Sequence, residues 1–128
     1  MIRILTGDDR VRAQKEIVKI LGDGYEVIEG AEILAEDLAS VFLGASLFAE
    51  ARKILIRDLS ANKAAFEKLP LYLGTAHEVV ILETKLDKRS ATYKELKGKV
   101  EIREFDLPKN KNFNVVFDIY RVAKKDGA

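Results

Sequence analysis

The run Val79-Val80-Ile81-Leu82 does most to narrow the fold. Continuous apolar, β-branched residues suit a parallel strand covered on both faces; a strand with one wet face would alternate. Strand-like and helix-like segments alternate around it. Ile2-Arg3-Ile4-Leu5-Thr6 reads as a first strand stopped by Gly7. Asp8 or Asp9 then caps a helix that turns Val11, Ile17, Val18 and Leu21 to one face and ends at Gly22 and Gly24. Tyr25–Glu29 alternates, as an edge strand would. Leu34, Leu38, Val41 and Phe42 mark a second helix, and Ile54-Leu55-Ile56 a third strand. Ser60 or Asn62 caps a helix holding Ala64, Ala65, Phe66 and Leu69, which Pro70 brings to an end. A short helix from Ser90 to Lys97 stops at Gly98, and Val100–Phe105 is a last strand.

Strands separated by helices imply an α/β fold: a three-layer, five-stranded parallel sheet with helices on both faces and right-handed crossovers. Residues 1–108 make up this unit. Pro108 to Asn114 is a polar linker, and Phe113, Val116, Phe117, Ile119, Tyr120 and Val122 predict a final amphipathic helix, so 109–128 form linker and C-terminal helix.

Composition removes several chemistries. The chain of 128 residues has no Cys, hence no disulfide, zinc-thiolate site or thiol nucleophile. Its one histidine, His77, excludes mechanisms that need two; it sits in a turn-like stretch and is expected at the surface. No apolar run reaches the roughly 18 residues of a membrane span, so the expectation is a cytoplasmic protein without membrane contact. A net charge of +1 argues against a nucleic-acid binder held by bulk charge. That total hides a split: residues 1–84 carry net −4 and residues 85–128 carry net +5.

Phosphate binding is the first chemistry to test, because an α/β protein commonly binds it after its first strand. The turn Thr6-Gly7-Asp8-Asp9-Arg10-Val11 has one glycine, no Lys-Ser/Thr pair and two carboxylates. It matches neither a P-loop nor a dinucleotide fingerprint, and its acids would repel a triphosphate. No enzyme activity, cofactor or small-molecule substrate is expected. The same acids carry an alternative. Asp8 and Asp9 after the first strand and Asp58 after the third could gather around Mg²⁺. That arrangement, with Thr84 after the fourth strand, resembles a response-regulator receiver domain phosphorylated on Asp58; the plainer reading is capping and loop termination.

Ala45-Ser46-Leu47-Phe48-Ala49 places two bulky apolar residues in a connection where polar turn residues are the rule. Such a pair either packs onto the core or enters a partner's pocket. Lys85-Leu86-Asp87-Lys88-Arg89-Ser90 is a mixed-charge stretch suited to a solvated loop or to phosphate contact.

Taken in order, three stretches resemble the N-terminal domain of the DNA polymerase III delta subunit, a clamp-loader subunit. They are Ile4–Asp9, Ser46-Leu47-Phe48-Ala49-Glu50-Ala51-Arg52-Lys53-Ile54-Leu55-Ile56, and Lys85–Ser90 followed by Tyr93-Lys94. The resemblance spans residues 2 to about 108. It implies a P-loop NTPase-like domain of the clamp-loader ATPase superfamily whose phosphate loop is degenerate and which has no ATPase residues. It also implies that Leu47 and Phe48, with Ser46, form the tip that enters a pocket on the sliding clamp. Other loader subunits are implied partners through further domains that family members carry. Lys85, Lys88 and Arg89 become candidates for contacts with DNA or a neighbouring subunit. A stand-alone scaffold that no longer binds a clamp is the bland alternative.

Overall fold

The computed structural model describes residues 1–44 and 51–108. The connection carrying Ser46, Leu47 and Phe48 and the expected final helix lie outside these residues. The elements are β1 (Ile2–Thr6), α1 (Arg10–Leu21), β2 (Glu26–Glu29), α2 (Leu38–Leu43), β3 (Lys53–Arg57), α3 (Lys63–Lys68), β4 (Glu78–Glu83), α4 (Ala91–Leu96) and β5 (Glu101–Glu104). Single 3₁₀ turns at Ala35–Asp37, Leu59–Ala61 and Leu69–Tyr72 lead into α2, α3 and the loop before β4.

All strand pairs are parallel, in the order β2-β3-β4-β1-β5. The apolar run Val79–Leu82 lies in the central strand, with Val80 beside both Arg3 and Leu55. The alternating β2 sits at one edge and β5 at the other. This order contradicts the receiver alternative, since receiver domains use the order 2-1-3-4-5.

The order also distributes the helices. The step from β1 to β2 crosses the sheet one way and every later step runs the other way. Right-handed crossovers therefore put α1 on one face and α2, α3 and α4 on the opposite one. Two buried clusters follow. Ile4, Ile54, Ile56 and Ile81 pack with Leu38 and Phe42 of α2, Phe66 of α3 and Leu96 of α4. Leu5, Leu55 and Val80 pack with Ala13, Ile17 and Leu21 of α1 and with Phe105. Each fully buried Leu, Ile or Phe stabilises the fold by roughly 1.5–3 kcal/mol over leaving it exposed.

The helix ends follow local chemistry. Asp9 caps α1 by accepting from the Arg12 amide at 3.1 Å, and Ser90 caps α4 by accepting from Tyr93 at 3.1 Å. Asn62, rather than Ser60, caps α3 through Ala65. Its amide nitrogen also donates to Ile33 at 2.5 Å, tying the β2–α2 loop to α3.

Two expectations change. In α1 the row that meets the sheet is Ala13, Ile17 and Leu21, spaced by four, while Val11 is 66% and Val18 39% exposed. The buried row leaves both valines turned away from the sheet. Leu34 does not join α2; it precedes the 3₁₀ turn and is exposed, leaving α2 only one and a half turns long.

Candidate functional site

The site expected at Ser46, Leu47 and Phe48 is approached through its two described flanks, Gly44 at the end of α2 and Arg52 before β3. The Gly44 amide closes α2 on the Ser40 carbonyl at 3.0 Å, and a Cβ at Gly44 would overlap that same oxygen. Arg52 grips Glu26 on the edge strand through Nε and one terminal nitrogen, both at 2.8 Å. The Arg52 hydrogen bond holds the Glu26 carboxyl below its ordinary range and raises the guanidinium correspondingly. The pair is partly exposed, so its two-pronged geometry fixes orientation more than it adds stability, which is under about 1 kcal/mol for such pairs.

His77 lies between the flanks. Its turn-like sequence context suggests a surface residue, yet it is 7% exposed. Its Nδ1 accepts from the Arg52 amide at 2.9 Å and its Nε2 lies 2.5 Å from the Gly44 carbonyl oxygen. Thr75 braces the arrangement: its hydroxyl donates to the Phe42 carbonyl at 2.5 Å and accepts from the His77 amide at 3.2 Å. Sequence reasoning missed this cluster because its members lie 25 to 33 positions apart. The one local signal was a polar Thr-x-His placed directly before a buried strand.

At the other end of the sheet, the turn after β1 shows what has become of the phosphate position. Gly7 has φ +119°, and a Cβ there would come within 2.7 Å of the Phe105 carbonyl carbon. The Asp9 amide donates to the Phe105 carbonyl at 2.7 Å, and Asp8 accepts from the Leu107 amide at 2.7 Å. One backbone amide of this turn, that of Asp9, is thus taken by the chain leaving β5, and the Asp8 carboxylate is turned to the same segment. The remaining hollow, about 240 Å³, is lined by Asp8, Glu104 and Asp106, and its Lys88 is ion-paired with Glu104. An anion would meet mostly carboxylates there.

The acids considered as Mg²⁺ ligands are not brought together. Asp8 holds Leu107, Asp9 caps α1, and Asp58 accepts from the Thr84 amide at 3.0 Å. Among the described residues no three His, Asp or Glu side chains are placed to hold a metal ion. Asp58 has φ +53°, and its side chain closes the loop after β3 onto the end of β4.

The basic stretch is likewise divided. Lys88 turns to Glu104, Arg89 is 93% exposed with Nε 3.3 Å from Asp87, and the Lys85 carbonyl oxygen lies 3.3 Å from the Ser60 hydroxyl oxygen. Asp87 is held below its ordinary range, chiefly by the Arg89 amide. Beside them is a cavity of about 860 Å³, bounded by Asp58, Ser60, Lys63, Phe66, Lys85 and Ser90 among others. Its charged rim mixes both signs and so favours no single ligand charge.

Behind Ser60 stands Glu83, which sequence reasoning missed as the last residue of β4. It is 1% exposed, and burial pushes its carboxyl up to about 7, against the lowering effect of its hydrogen bonds from Ser60.

No protein-family model matches the sequence, and neither does any curated protein. Among solved structures, the Bacillus subtilis DNA clamp loader delta protein YqeN superposes on it with a TM-score of 0.55 at 16% identity. The chain has a clamp-loader-delta-like fold. The match covers 98% of this chain and 43% of that protein, so the chain spans less than half of its length. At this identity the likeness speaks for the fold, which agrees with the P-loop NTPase-like architecture expected from the sequence.

Proposed function

We propose that this chain is the clamp-binding domain of a clamp-loader delta-type subunit, holding a sliding clamp through Leu47 and Phe48 with Ser46 beside them. The observation that carries this is the apolar pair in the connection between α2 and β3 of a fold shared with a clamp loader delta protein. A two-residue apolar anchor entering a preformed pocket contributes about 2 kcal/mol or more per residue. The domain is a binding module rather than a nucleotide hydrolase: the Asp9 amide of its first turn is spent on the Phe105 carbonyl, and the hollow beside it is lined by acids.

In this proposal residues 1–108 are the clamp-binding unit and 109–128 the linker and helix that follow. Lys85 and Arg89 face DNA or a neighbouring subunit; Lys88 is held by Glu104 and contributes less. The protein works in the cytoplasm; among the described residues no helix is long and apolar enough to cross a membrane.

The test is direct. A purified bacterial sliding clamp should bind the wild-type chain, and Leu47→Ala combined with Phe48→Ala should weaken binding by at least about a hundredfold. Equal affinities for the two would sink the assignment.

A further inference from the structure

The imidazole of His77 touches the main chain on both sides of the segment that carries Leu47 and Phe48. Its bonding partners settle its chemical form. The Arg52 amide can only donate, so Nδ1 must present a lone pair. The Gly44 carbonyl can only accept, so Nε2 must carry the proton. Only the neutral Nε2–H tautomer satisfies both. A ring carrying two protons would set an N–H against the Arg52 N–H, donor against donor.

We propose that neutral His77 is a pin that sets the spacing and direction of the two chain ends flanking residues 45–51, and that protonating it withdraws the pin and weakens the grip on the sliding clamp. The clamp part rests on the function proposed above; the pin itself rests on described residues alone.

The surroundings favour a well-defined pin. The ring is buried, and its own backbone is fixed by Thr75 Oγ1 and by the Met1 amino group, which donates to the His77 carbonyl at 2.5 Å. The flanks are fixed independently. Arg52 is tied to Glu26, its carbonyl accepts from the Glu78 amide at 2.9 Å, and Gly44 closes α2 on Ser40. Near the ring, Arg52 is paired with Glu26, the Met1 amino group bonds the His77 carbonyl, and Glu78, the next residue, is paired with Arg3.

The experiment uses the full 128-residue chain, labelled with nitrogen-15. Imidazole nitrogen shifts at neutral pH should show the Nε2–H tautomer; a proton on Nδ1 overturns the pin. In His77→Phe, which keeps a planar ring and removes both bonds, exchange of the Arg52 amide should speed up by about tenfold, the scale of one lost hydrogen bond, while Leu55 and Val80 amides stay unchanged. Unchanged Arg52 exchange overturns the proposal. If His77→Phe does not fold, the wild-type titration decides: Arg52 protection should fall as the ring takes up its proton, and a flat profile refutes the pin.

Clamp affinity is measured in parallel with a purified bacterial sliding clamp. It should fall several-fold in His77→Phe and, for wild type alone, should fall on acidification. A wild-type affinity independent of pH and equal to that of His77→Phe refutes the positioning role. The Leu47→Ala, Phe48→Ala variant separates the two ideas: if it binds as wild type does, the clamp reading has failed, and exchange at Arg52 still decides the pin.

Discussion

Ser60 donates to the buried carboxylate of Glu83 through both its amide, at 3.1 Å, and its hydroxyl. These bonds only partly offset the burial that lifts the Glu83 carboxyl from its reference 4.5 to about 7. A carboxyl raised on folding binds its proton more tightly in the native state. Its contribution to stability is therefore complete below about pH 4.5 and is lost as pH rises through about 7. The span corresponds to at most about 3.5 kcal/mol. Glu83→Gln should remove this slope: stability near wild type at pH 5 and higher than wild type at pH 8, read from urea unfolding at both. Parallel stability curves for the two proteins would show that Glu83 does not titrate as described.

Gly7→Ala should cost about 2–3 kcal/mol, since φ +119° suits only glycine and a methyl group would press on the Phe105 carbonyl. Chemical denaturation measures the loss. A variant as stable as wild type would mean that the turn relaxes freely.

The occupied first turn also predicts that millimolar Mg²⁺-ATP leaves the thermal unfolding midpoint unmoved. A ligand that bound the native state would raise it by mass action. A concentration-dependent rise would contradict the closed-turn geometry.

Asn62 performs three tasks, capping α3 through the Ala65 amide and donating to the carbonyls of Ile33 and Gly30. Asn62→Ala should destabilise by about 2 kcal/mol or more, combining a lost cap with two abandoned carbonyls. Asn62→Asp keeps the cap and loses the donors, so it should fall between the two in a denaturation series.

Lys85→Ala with Arg89→Ala should change stability by no more than about 0.5 kcal/mol, because neither side chain supports the core. If these residues meet DNA, the double variant binds a primed duplex more weakly, and its affinity depends less steeply on salt. Identical salt slopes would leave a protein neighbour as their partner.

Much of the architecture is legible in the order of the residues. The buried run at Val79–Leu82, the alternating edge segments and the capping residues Asp9 and Ser90 express rules that act within a few residues. The features that escape such rules are non-local. His77 reads as a turn residue until Gly44 and Arg52 close around it. Glu83 looks like an exposed strand end until the Ser60 loop folds over it. Lys88 looks available until β5 delivers Glu104. Which row of α1 faces the sheet is set by tertiary packing: Ala13, Ile17 and Leu21 are buried and Val11 and Val18 are not. The apolar pair Leu47-Phe48 is conspicuous in the sequence because it breaks the polar pattern of a connection, whereas the histidine beneath its flanks leaves only a faint trace, a polar Thr-x-His before a buried strand.

The seam between the first turn and the strand exit at Phe105 has a mechanical corollary. A domain that cycles with nucleotide has at least two resting shapes, set by whether its cradle is full. Here the Asp9 amide of the first turn is bonded to the chain's own Phe105 carbonyl. In the proposed reading, the timing of catch and release is set away from this turn, by neighbours, by the partner or by the His77 pin.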